Sequence, residues 1–552
     1  MYPSEPFPHF VDDYLAYLHE VFPSQASLDG VHTHDDLLED LSKQAVEGHV
    51  RALAGFARRL QQIDTAFLTP TEQVDHRILS SNVEARMHEF DVVRAWERNP
   101  EFYAATAVAG LSGQALLDYA PEADRARRVV SKLRQLPRLV EAAQDNIKDA
   151  PGIFVKVGLE TWRGVLSFIE QDLPRAFSRL DDLHILGDLA DASTEASTAV
   201  TAYLSHLEAD LASRSKASFR INRERFEQKL KLEEGVTLNA DRLLTIALRE
   251  LQEAQDAFRE AAARVGEGDA AEVWRATKAD HPVAGQLVAE VRSQLEELRV
   301  FVERSGLLGS LFSEPVSVAS SPEIFRPRPA SVCASGPFES KGGRPVLFVT
   351  DAQRSWPVQR QEEHLREMSR PALWCLAMHQ ALPGHLVAAH HARQVESKVR
   401  RSRMFASHAF VEGWAHYGVQ VTLEAGFRKT DAALRLAYLS DALVRLARLA
   451  VAIRLHCEDL SVEQGMRFFR DEAFLDEAAA RREAERGTFE PSYLSAALGK
   501  VMLLKLRRDF KENQGSKYSL RAFHDAVLAN GSGPFWAHRR FLLDETSDAA
   551  LE

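Results

Sequence analysis

Cysteine is scarce in this chain: three in 552 residues, Cys333, Cys375 and Cys457, far apart and with no CxxC pair. A disulfide framework and a cysteine-held zinc are thereby excluded, and the set fits a reducing compartment, so a cytoplasmic location is expected. Positive charge is also short. Lys and Arg number 68 against 80 Asp and Glu, a net charge of −12, which argues against sequence-independent binding of nucleic acid. No window approaches the roughly 18 uninterrupted apolar residues of a membrane span, so no membrane partner is expected. The opening stretch MYPSEPFPHFVDDYLAYL has neither a basic nor an apolar leader segment, and no signal peptide is expected. Nucleotide-binding glycine loops and the G-x-S-x-G elbow are absent as well.

What is present is an ordinary globular composition, 45% hydrophobic and 27% charged, organised by helical periodicity. From Asp241, Leu244, Ala247, Leu248, Leu251, Ala254, Phe258 and Ala261 recur at steps of three and four, with Asn239 or Asp241 as N-cap. Similar patterns run over about residues 34–63, 71–93, 122–147, 155–181, 193–232, 282–306, 360–398, 403–427, 431–473 and 491–512. One region, 313–351, is rich in Pro, Gly and Ser and holds two β-like runs, Val316–Ala319 and Val346–Thr350. The expected fold is mainly α. An N-terminal helical half spans 1–305, and a C-terminal half spans 306–552 with a small β insert at 313–351 along the edge of a central cleft.

The segment HQALPGHLVAAHH concentrates the chemistry. His379 and His385 stand six apart, so on an ideal helix they would point about 120° apart. Pro383 clashes with the carbonyl of His379 and removes a donor, and Gly384 adds backbone freedom. A break there can turn His385 back toward His379. Further on, His408, Glu412 and His416 lie at steps of four on one helix face. Two neutral imidazoles with a carboxylate make a normal zinc shell, and His416 or His408 can instead hold Glu412 from behind.

The pair HQALPGH and FVEGWAHYG resembles the H-E-x-x-P-G-H and E-G-W-A-x-Y signatures of a bacterial family catalogued as domain of unknown function 885, whose members are described as zinc-peptidase-like. RLHCEDLSVEQGMRFF from Arg454 and EAERGTFEPSYLSAALGKVMLLKLR from Glu483 agree in order. The resemblance implies a long helical architecture similar to that of oligopeptidases and carboxypeptidases with a glutamate third ligand. It implies zinc on His379, His385 and Glu412, and Arg454, His456, Arg486 and Tyr493 lining the cleft. The expected partner is then a small peptide or amide-bearing small molecule.

Four positions depart from the family pattern. Gln380 stands where the family has the glutamate that takes the proton of the attacking water, and glutamine accepts none at neutral pH. Leu386 replaces a second histidine, Val419 an acidic residue and Ala497 a tyrosine. Proton transfer would then fall to another group, His416 or Tyr493, with Gln380 orienting water.

Plainer roles stand beside these. His390 and His391 read as surface or satisfied core residues, and Trp414 and Tyr417 as packing that fixes Glu412. Arg454, Arg486 and Tyr493 divide between buried ion pairs and binding of a substrate carboxylate, and Glu362 and Glu363 form a solvated face. The chain is thus a zinc hydrolase of peptides or amides, a pseudoenzyme that binds such a ligand in the former cleft, or a helical scaffold without ligand.

Overall fold

The computed structural model describes residues 5–326, 328–341, 343–545 and 551; residues 1–4 of the stretch read for a leader lie outside it. The mainly α fold with a small β insert is as expected. Ser42 caps the helix Lys43–Gln62 by accepting from Ala45 N, Asn239 caps Ala240–Val265 through Arg242 N, and Glu122–Asn146 runs 25 residues.

The differences follow from punctuation that periodicity alone does not register. The pattern over 193–232 is broken once: helical backbone from Leu183 continues through a π-helical turn, Leu207–Leu211, to Arg214, and Arg223–Glu234 follows after the non-helical residues 215–222. The pattern over 360–398 is three helices: Val358–Glu367, Arg370–Gln380 and His385–Ala392. Pro100–Leu116 is a helix that the periodicity does not reveal; its residues are buried on several sides, which leaves no polar face to mark it.

The insert is a three-stranded sheet. β1 (Ser317–Ser320) pairs in parallel with β3 (Val346–Val349), and β2 (Ala330–Cys333) pairs antiparallel to β3 in the register Ala330↔Val349. β3 is the central strand, and Leu347, Phe348 and Val349 are all buried, as a strand covered on both faces requires. β2 was not expected, being four residues with little alternation. It packs against Arg370–Gln380, the helix that carries His379.

The largest hydrophobic cluster joins Arg223–Glu234, Ala240–Val265 and Leu287–Ser305 to the sheet and to the helices between 370 and 529. Through its middle runs Ala432–Cys457, buried along most of its length. Against it lie Arg370–Gln380, His408–Glu424 and Ser495–Gln514. The last two cross with backbones almost touching: a Cβ on Gly413 would fall 2.6 Å from the Gly499 Cα and 2.8 Å from the Lys500 nitrogen. Only glycine permits that approach, and it fixes the helix of Glu412 against that of Lys500.

Candidate metal centre

The helix that carries His379 ends at Gln380, and a new one starts at His385. Between them the chain turns through Ala381, Leu382, Pro383 and Gly384, with a cis peptide at Leu382–Pro383. Gly384 N donates to Met378 O at 3.0 Å. The backbone folds back so tightly that a Cβ on Gly384 would land on the carbonyl oxygen of His379. His385 is thereby brought beside His379, ring centroids 4.8 Å apart and planes at 82°.

Glu412 arrives from the other segment. Its carboxylate oxygens lie 3.7 Å from His379 Nε2 and 3.6 Å from His385 Nε2. One donor atom from each of the three residues falls within 4.8 Å of the other two. Tetrahedral zinc with bonds near 2.1 Å sets its ligands about 3.4 Å apart, so the trio is close to the size such an ion needs. Side-chain exposure rises from 8% at His379 through 18% at His385 to 41% at Glu412, so the group opens to solvent on the Glu412 side.

Electrostatics give the trio the protonation a cation requires. Burial holds the His379 imidazole below its usual value, with Arg445 adding to the effect, and pushes that of His385 down to about 4. Burial alone would raise Glu412, but His385, His379 and Arg445 hold its carboxyl well below the ordinary range. At neutral pH the site presents two neutral imidazoles and a carboxylate, with no proton to displace. His379 Nδ1 is buried without a hydrogen-bond partner. In donor chemistry, spacing and charge, the trio fits a divalent cation such as zinc.

The other expected residues divide. Gln380 is half-buried at the helix end beside His379. His416, 1% exposed, stands one turn beyond Glu412, with Nδ1 3.6 Å from Asp441 Oδ2. Burial holds its pKa well below the usual value, and the charges of Lys500 and Arg445 act in the same direction. His408 is exposed at the start of the same helix. Tyr493 is buried between the guanidinium groups of Arg448 and Arg486, each 5.9 Å from its ring, and its hydroxyl has no hydrogen-bond partner. Arg486 is held by Glu490 through two bonds of 2.7 and 3.1 Å.

Two expected residues find their partners elsewhere. Arg454 pairs with Glu458 and lies over Phe468, while His456 Nε2 is bonded to the Gly487 carbonyl and its ring stacks on Phe226. His390 is bonded to Gln394, and Glu362 pairs with Arg366 and His281.

Sequence reasoning missed a charged row on Ala432–Cys457. Arg445 Nε donates to Asp441 Oδ2 at 2.7 Å, and Arg448 grips Glu483 through two bonds of 2.7 Å. Lys500 Nζ donates to the Tyr438 hydroxyl at 2.7 Å, which in turn donates to Gln420 Oε1 at 3.0 Å. The signal was available: Asp441, Arg445 and Arg448 recur at steps of four and three in the middle of a largely apolar helix, where charge is costly unless it is used.

A separate groove of about 830 Å³ runs along Leu186–Ser205, but it is lined mainly by Ser, Thr and Ala and holds no reactive constellation. No helix among the described residues is long and apolar enough to cross a membrane.

Comparison with known proteins agrees with this architecture. A candidate lipoprotein of unknown function from Shewanella oneidensis superposes with a TM-score of 0.78 at 23% identity, covering 98% of this chain and 100% of the other. A candidate lipoprotein from Colwellia psychrerythraea does so with a TM-score of 0.80 at 17% identity, covering 98% of each. No functionally curated protein matches the sequence. The expected cytoplasmic location is corrected by these two neighbours, both described as candidate lipoproteins. The physical reason is that a chain with so large a core needs no disulfide, so three unpaired cysteines say nothing of the compartment. The family model for bacterial proteins of unknown function called DUF885 matches residues 23–537, and the chain belongs to that family.

Proposed function

We propose that the chain is a zinc-dependent, peptidase-like hydrolase of small peptides or amide-bearing metabolites, with turnover restrained by Gln380. The observation that carries this reading is the convergence of His379, His385 and Glu412 from two separate segments onto one point, in the protonation state a cation needs. A cation held there supplies Lewis-acid polarisation of a carbonyl and a lowered pKa of water.

The residues around the trio do the rest. Gln380 orients water by hydrogen bonding but takes no proton. His416, kept neutral and buried one turn behind Glu412, faces Asp441 through Nδ1 and supports the site from behind. Burial raises Tyr493 far above its ordinary value, so its hydroxyl stays protonated; it packs against Gly487 without a hydrogen-bond partner among the described residues. Arg486 lies over that ring, while Arg454 and His456 are engaged with Glu458 and Gly487.

The second reading, a pseudoenzyme that binds such a ligand in the same cleft, is favoured by Gln380 itself. The description of both structural neighbours as candidate lipoproteins favours action outside the cytoplasm.

Elemental analysis of purified protein beside His379→Ala tests the metal. One equivalent of zinc, lost in the variant, is expected; no zinc after incubation with the ion overturns both the hydrolase and its site. A peptide library then divides the readings. Hydrolysis by the wild type supports the first, and an inert wild type that gains activity in Gln380→Glu supports the second.

A further inference from the structure

The cations around the trio do not spend their bonding capacity equally. Arg448 and Arg486 each give Nε and one terminal nitrogen to a single glutamate, so each already grips a carboxylate with two bonds. Arg445 gives only its Nε, to Asp441, and its two terminal nitrogens form no hydrogen bond with a described residue. These nitrogens form the end-on face of the guanidinium, the geometry that grips a carboxylate with two parallel bonds. Lys500 has no carboxylate partner among the described residues; its ammonium is bonded to the Tyr438 hydroxyl.

Both unspent cations belong to the trio's surroundings. Arg445 perturbs His379, His385, Glu412 and His416 alike, and its partner oxygen on Asp441 is the one that faces His416. Lys500 follows Gly499, whose contact with Gly413 places it against the residue next to Glu412. Lys500 is also the largest charge acting on His416.

Each is held in place from behind. Asp441 fixes the Nε edge of Arg445, whose side chain is only 13% exposed. Tyr438, itself aligned by Gln420, fixes Lys500. Asp441 balances the charge of Arg445 but leaves its end-on donors without an acceptor, and the Lys500 ammonium has only a neutral hydroxyl; a ligand carboxylate supplies what both lack.

We propose that the end-on face of Arg445, backed by Lys500, receives a carboxylate of the ligand bound at the His379–His385–Glu412 centre. The substrate class is then a compound whose amide bond stands next to a free carboxylate, such as a peptide with a free C-terminus or an N-acyl amino acid. The link to that centre rests on the metal reading above, whereas the carboxylate preference does not. Burial pushes the Lys500 ammonium down to about 8, so it is still mostly protonated at neutral pH.

The test is calorimetric titration of the full chain with N-acetyl-Ala-Ala and with its C-terminal amide, in zinc-loaded and in chelator-treated protein. The acid should bind at least about tenfold more tightly than the amide, as loss of a charged hydrogen-bond pair requires. Arg445→Gln and Lys500→Met should each shrink that ratio toward one while zinc content stays unchanged, and Lys500→Arg should restore it. Equal affinity for acid and amide, or no binding of either by the wild type, overturns the proposal, whatever the variants do. A variant that misfolds in circular dichroism is set aside, and the wild-type ratio alone still decides. Acid preference without retained zinc sinks the metal reading and leaves the subsite standing; retained zinc without preference does the reverse.

Discussion

Trp414 Nε1 donates to the Pro383 carbonyl at 2.9 Å, so one hydrogen bond ties the helix of Glu412 to the turn that brings His385 back to His379. Trp414 is 1% exposed, and no water can replace the bond. The two halves of the trio are thus registered by a residue that is itself no member of it. Trp414→Phe keeps most of the packing and removes the donor. It should cost about 1 kcal/mol in thermal unfolding and roughly 10–100-fold in zinc affinity, measured by competition with a chelator. An unchanged affinity would mean that the turn is held by packing alone.

Gly384→Ala places a methyl group on the His379 carbonyl oxygen, so the turn must open. Zinc should be lost, and stability should fall by about 1–3 kcal/mol, as for other overpacked sites. Elemental analysis and a denaturant titration read the two effects separately.

Gln380→Glu supplies a group that can accept a proton without altering the trio. Hydrolysis of susceptible peptides should rise by about 10²–10⁴-fold at unchanged zinc content. A wild type and variant of equal activity would place the base elsewhere, with His416→Phe as the next comparison.

Stability should fall as pH drops from about 6.5 toward 4. Burial pushes His385, His456 and His524 down to about 4 and His49 and His538 down to about 3. These rings are neutral in the folded state and protonate more readily when unfolded. Their contribution is therefore complete above the unfolded value and is lost as pH falls toward the folded one. Glu39, Glu101 and Glu234, which burial raises, act in the opposite sense but are fewer. Melting temperature across that range in metal-free protein measures the sum, and a flat or rising profile on acidification would contradict it.

The parts of the site confined to one stretch of chain were legible in advance. Periodicity located most helices, Asn239 announced its own cap, and Pro383 with Gly384 announced a break between His379 and His385. These are local effects, decided by sterics and hydrogen bonds within a few residues. Arg454 and His456 show the limit: their residue types suit a binding cleft, yet the fold engages them with Glu458 and Gly487.

By itself, then, the sequence determined a mainly helical chain with a small β insert, a broken helix bearing two histidines, and a glutamine where a base is customary. Only the tertiary structure decided that Glu412 meets those histidines, that Gly413 and Gly499 bring the helix of Lys500 against that of Glu412, and that Arg445 keeps its end-on nitrogens unspent. The reason is physical. A helix break is a matter of neighbouring residues, whereas the pairing of charges on separate helices depends on how their backbones cross, and no spacing along the chain encodes that distance.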